Sequence, residues 1–78
     1  MPRYFFPVHD DLEVEDKEGA ELPNLEAARQ RAVLGARALM AEQIQQGRLN
    51  LSHSVEVTNE AGQVLLTISF REAVAIEG

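Results

Sequence analysis

Apolar and polar positions alternate at both ends of this chain and recur with a helical period between them. Arg3 to His9 is aromatic and β-branched, and fits a strand with Tyr4, Phe6 and Val8 on one face and Phe5 on the other. Asp10-Asp11 supplies a turn. Leu12-Glu13-Val14-Glu15 then alternates apolar and acidic residues, the pattern of a half-buried strand. Asp16-Lys17-Glu18-Gly19 is a second turn, with Gly19 available for positive φ. Residues 3–21 therefore read as an N-terminal hairpin.

A helix over residues 24–47 follows, with clear punctuation. Pro23 precedes Asn24, a favoured N-cap; Glu26 places an anion in the first turn, and Gly47 is a natural stop. At 100° per residue, Leu25, Ala28, Ala32, Ala36, Leu39 and Met40 form one stripe, with Val33 and Ile44 at its edge. The alanine-rich middle lets this face approach a sheet closely. Roughly opposite lie Ala27, Leu34, Ala38 and Ala41. Alanine is tolerated on any helix surface, yet a solvent face normally carries charge. These four residues are therefore a candidate interaction surface.

Alternation returns in Val55-Glu56-Val57-Thr58, and Asn59-Glu60-Ala61-Gly62 reads as a hairpin turn. Val64 to Phe70 continues as a longer strand, with Val64, Leu66, Ile68 and Phe70 on one face. That makes residues 54–70 a C-terminal hairpin and 71–78 a short tail, where Ala73 to Ile76 supplies a turn or edge segment. The order β-β-α-β-β predicts an α+β domain: one long helix on one face of a mainly antiparallel sheet.

At 78 residues the chain is a single domain spanning 1–78, and it contains no cysteine. That excludes a disulfide framework, a thiol nucleophile and a cysteine-based zinc site. No apolar stretch is long enough for a signal segment or a membrane span, so a soluble cytoplasmic protein is expected. Two layers of this size bury a thin core, which gives a physical motive for forming a dimer.

The formal net charge of −6 argues against general nucleic-acid binding. It is unevenly distributed. Residues 1–21 carry −5, residues 22–50 carry +2 and residues 51–78 carry −3. The helix arginines do not converge: Arg31 and Arg37 lie about 120° apart on the wheel. Arg29 falls within the apolar stripe, where it is expected to snorkel past the sheet edge or pair with a hairpin carboxylate.

The polar cluster His9, Asp10 and Asp11 is the main candidate for chemistry. Its carboxylates begin an acidic run that suits a hard cation. The spacing does not match an EF-hand loop, however, and a solvated hairpin with a charge-guarded edge is the favoured explanation of the run. His9 and His53 are the two side chains expected to titrate near neutrality. Two histidines without a third ligand make a poor zinc site, and no serine sits in a nucleophile elbow. Neighbours on a strand also point to opposite faces, so His9 and Asp10 need not cooperate. No catalytic residue, no metal and no cofactor is assigned, and little concavity is expected from one helix on a small sheet.

Pro2-Arg3-Tyr4-Phe5-Phe6, His9-Asp10, Glu21-Leu22-Pro23-Asn24-Leu25-Glu26-Ala27-Ala28-Arg29 and Val57-Thr58-Asn59-Glu60-Ala61-Gly62 with Val64-Leu65-Leu66 resemble a small domain-of-unknown-function family common in alphaproteobacteria. The resemblance covers nearly the whole chain. It implies a stand-alone domain with no assigned activity and no catalytic residues to carry over. Pro7 stands where members usually have Asp or Asn, and Asp11 where they have Gly. Pro7 removes a ladder donor from the first strand.

The function expected on these grounds is that of a small non-enzymatic protein-interaction module. Its partner is a protein, a second copy in a homodimer, rather than nucleic acid or a membrane. The alternative is a small antitoxin-like regulator that binds a protein partner or nucleic acid through its arginine-bearing helix, a reading by fold analogy.

Overall fold

The computed structural model describes residues 1–78. Four short strands precede the helix: β1 (Arg3–Tyr4), β2 (Val8–His9), β3 (Glu13–Val14) and β4 (Ala20–Glu21). The helix α1 (Leu25–Gln45) leads to β5 (Ser54–Thr58), β6 (Val64–Ser69) and a last turn of helix, α2 (Phe70–Ala73). The domain is α+β with one long helix and antiparallel pairing throughout, as expected. The order β-β-α-β-β is corrected to β-β-β-β-α-β-β-α. Strands β3-β2-β5-β6 form one sheet, and β1-β4 form a separate pair.

Pro7 and Asp16 explain why the first strand divides. Pro7 has no N–H to donate. The Phe6 N–H next to it is taken by the Asp16 carboxylate at 3.0 Å. Phe5 still exchanges both backbone bonds with Thr58 at 2.9 Å, and the Pro7 carbonyl accepts from Glu56 N–H at 2.9 Å. The segment thus keeps its β5 side and peels away on the other. The other Asp16 oxygen accepts from Glu18 and Gly19 N–H at 3.2 and 3.1 Å. Gly19, at φ +65°, then turns the chain so that β4 pairs with β1, Arg3 opposite Glu21. The expected hairpin over 3–21 is therefore two nested pairings. Its second strand shrinks to β3, a short edge that leaves Leu12 and Val14 exposed.

The helix begins as its sequence dictates: Asn24 Oδ1 accepts from Ala27 N–H at 2.9 Å. Ala28, Ala32, Ala36 and Met40 are buried against Val55, Val57 and Ile68, with Tyr4, Phe70 and Ala73 completing the core. Spacing of four puts those helix residues on one stripe, and three alanines let the backbone come close to the strands. Two expected members are exposed, Leu25 and Ile44. Leu25 opens the helix, where side chains lean back toward the preceding chain. Ile44 lies about 100° from the centre of the buried stripe.

The C-terminal hairpin turns at Gly62, φ +81°, with Asn59 Oδ1 accepting from Ala61 and Gln63 N–H. The register then slips by one residue between Val57 and Thr58, which leaves Val64 opposite Thr58 and exposed rather than in the core. Phe70 does not end the strand. It starts α2, capped by Ser69 Oγ on Glu72 N–H at 3.2 Å. The presumed tail is thus partly structural: Ala73 is buried, Val74 packs on the core, and Arg37 Nε donates to the Ala73 carbonyl at 2.7 Å.

Candidate functional site

The structure separates the His9, Asp10 and Asp11 cluster. His9 turns to the uncovered side of the sheet, with Nε2 2.8 Å from Glu56 and Nδ1 3.3 Å from Glu13. The Glu56 contact is close, but the ring N–H is not aligned on the carboxylate, so Nε2 is buried without a well-formed hydrogen bond. The Glu56 carboxylate is the main cause that raises the His9 pKa above its usual value; Glu13 adds to it, and burial opposes both. Asp10 closes its own turn by accepting from Leu12 N–H at 2.8 Å. Asp11 points elsewhere, to His53 and Arg48. No group of three potential ligands gathers to hold a metal ion.

The more organised polar site surrounds His53, which the sequence marks only as a loop histidine. Gly47, at φ +84°, stops α1, and residues 48–53 lead the chain back to β5. His53 ends this return buried, its side chain 9% exposed, with its ring edge-on to Phe70 at 5.6 Å between centroids. Gln43, in the last turn of α1, fixes it. Asn50 N–H can only donate, and it lies 3.0 Å from Gln43 Oε1. The Gln43 amide NH2 is thereby directed to His53 Nδ1 at 3.0 Å. Nδ1 is the acceptor, so the ring proton sits on Nε2. That N–H faces an open cleft of about 620 Å³ bordered by Asp11, Arg48, Ser52 and Arg71. Nε2 lies 3.6 Å from Asp11 Oδ1, too far for a hydrogen bond. The expectation of little concavity is thus corrected: the loop after the helix, rather than the helix–sheet seam, makes the cleft.

Residues 3–71 match a family described as a domain of unknown function. The chain belongs to that family, DUF6894. No curated protein and no solved structure matches it. No helix of this DUF6894 domain is long and apolar enough to cross a membrane.

The second helix face of the DUF6894 domain lies where the wheel places it. Leu34, Ala38 and Ala41 are exposed and Ala27 is half-buried. The helix arginines are partly engaged within the chain. Arg29 is exposed and pairs with Glu26, one turn back, at 2.9 and 2.7 Å, in place of the expected snorkelling or hairpin carboxylate. That pairing lowers the Glu26 pKa. Arg37 is turned to Ala73, and it borders one shallow depression with Arg29, Val33 and Leu34.

Edge-strand pairing is a second route to assembly that the sequence suggests, opposed there by acidic edges. The strand order, which the sequence leaves open, puts an uncharged strand, β6, at one edge. Val64-Leu65-Leu66-Thr67-Ile68-Ser69 contains no charge and no proline, and it borders the four-stranded sheet. Acidic residues guard the opposite edge, around β3, instead. Backbone polarity on β6 follows from two bonds. Phe70 N–H donates to the His53 carbonyl at 2.8 Å, and Glu56 N–H goes to Pro7 on its other side. Ser54/Ser69 and Glu56/Thr67 are therefore non-hydrogen-bonded pairs, and the Thr67 N–H and C=O point out from the sheet.

Proposed function

We propose that this domain is a small non-enzymatic interaction module that acts by self-association, and that two copies pair antiparallel through β6. The unguarded β6 edge carries this reading. An uncharged edge strand with outward N–H and C=O groups is a template for another strand. A second copy offers the same groups in the order that a two-fold axis requires. Surface area points the same way. The domain exposes 5295 Å², where about 4,700 Å² is typical of a folded monomer of this mass. Val64 and Leu65 are among the exposed apolar residues, at 52% and 37%. The helix face of Ala27, Leu34, Ala38 and Ala41 is a second surface for the same role, but Leu34 is its one large side chain.

Sedimentation velocity over a concentration series tests the proposal. The wild type is expected to shift from monomer to dimer. Thr67→Lys sets like charges across the pairing axis without touching the core, and is expected to stay monomeric. A wild type that is monomeric at the highest concentration reached overturns the proposal. A dimer that survives Thr67→Lys and is lost in Leu34→Glu moves the interface to the helix.

A further inference from the structure

We propose that the His53 cleft is a binding site for a small oxyanion, a phosphate or carboxylate group, held by His53, Arg48 and Arg71. The site is built rather than incidental. The His53 side chain is 91% buried by its 9% exposure, and its tautomer is set by the relay from Asn50 N–H through Gln43. A buried imidazole with one nitrogen satisfied leaves a strong donor, Nε2–H, with no partner at hydrogen-bonding distance. Nε2 itself reaches the open cleft, so a group that enters the cleft can accept from it.

The charges around it select the ligand. Arg48 and Arg71 both border the cleft, against the single carboxylate of Asp11. Arg71 takes part in no ion pair, and Arg48 reaches Asp11 only at 3.9 Å. Guanidinium groups and an imidazole N–H supply donors only, so the group they suit is an acceptor with negative charge. A cation is disfavoured by the same two arginines. The C-terminal dipole of α1 opposes an anion, but it amounts to about half a charge. Three carbonyls of its last turn are already taken: Glu42, Gln43 and Ile44 accept from the N–H groups of Gln46, Gly47 and Arg48.

Asp11 then has a defined part. Its carboxylate sits 3.6 Å from His53 Nε2 and 3.9 Å from Arg48, close to both and bonded to neither. It is 72% exposed on the turn before β3, so it can swing away. Asp11 occupies the anion's place in the unliganded domain, and a bound oxyanion displaces it. This inference does not depend on self-association.

Titration with inorganic phosphate, followed by ¹H–¹⁵N NMR at neutral pH with chloride matching the ionic strength, tests the site. Saturable shifts are expected at the amides of Asn50, Ser52 and His53 and at the His53 ring nitrogens. Arg71→Gln is expected to weaken binding about tenfold, the cost of one charge-assisted bond. Asp11→Asn is expected to tighten it several-fold, because it removes the competitor and keeps the turn's size. Both substitutions lie on exposed side chains, and the dispersion of each spectrum verifies the fold. An acetate arm distinguishes the source: saturation by either anion supports the site, and the tighter one names the group. Shifts that fail to saturate in both wild type and Asp11→Asn overturn the proposal. So does an affinity unmoved by Arg71→Gln, or one lowered by Asp11→Asn.

Discussion

Protonation of His9 adds a positive charge between two carboxylates on the open side of the sheet. The folded pKa is raised above the ordinary 6.5, first by the contact with Glu56. A raised histidine pKa stabilises the fold wherever the unfolded ring would already be charged, below about 6.5. That contribution fades as pH rises through the higher folded value. His9→Gln is therefore expected to lower the melting temperature relative to wild type at about pH 6, and to lower it much less by about pH 8.5. Thermal unfolding followed by circular dichroism at both pH values reads the difference. Equal losses at both would show that His9 acts through its shape and not its charge. Residue-level features legible in the sequence were those with local causes. Asn24 caps because an N-cap needs only its own first turn, and Gly19 turns because its backbone must take positive φ. Asp16 and His53 were not legible. Their partners, Phe6 and Gln43, are each ten residues away and are brought in only by the tertiary fold.

Glycines in different elements should respond oppositely to one added methyl. At Gly19 a Cβ would fall 2.5 Å from the Tyr4 carbonyl and 2.8 Å from the Phe5 ring, on a backbone at φ +65°. Gly19→Ala must push β4 off β1, and a cost of about 2 kcal/mol or more is expected. Gly35 sits inside α1 with nothing within 4 Å of its missing Cβ. Gly35→Ala removes backbone freedom from the unfolded chain and is expected to stabilise by about 0.5–1 kcal/mol. Urea unfolding of the two variants measures both signs; a neutral Gly19→Ala would mean that the β1–β4 pair carries no stability. At this scale the helix was readable almost to the residue, because period, cap and stop agree. Strands were readable by position but not by length. Alternation cannot reveal that Pro7 and the Asp16 carboxylate divide one strand in two, nor that a one-residue slip at Val57/Thr58 turns Val64 outward. The His53 cleft was illegible for a similar reason. Its members come from the β2–β3 turn, the end of α1, the return loop and α2, four places with no common sequence signal.

The whole molecule is a slab, 39 × 25 × 16 Å, in which 12 of 78 residues are buried. One helix covers one face of the sheet, and the other face carries no helix. A core this thin places the monomer at the low end of stability, so any association that favours the native state should be visible as added stability. For a dimer that dissociates on unfolding, each tenfold rise in protein concentration adds about 1.4 kcal/mol per dimer. Shared between two small subunits, this is roughly 3–6 °C in melting temperature. A pairing confined to one strand edge is a small interface, so the effect should set in only at the upper part of a concentration series. Differential scanning calorimetry of the wild type is expected to show that rise. Thr67→Lys should melt at one temperature throughout, offset from dilute wild type only by the new cross-strand pair with Glu56. Leu34→Glu should keep the wild-type slope if β6 is the contact. A wild-type melting temperature independent of concentration would mean that the thin core is sufficient alone, and that the surplus exposed surface serves a partner other than a second copy.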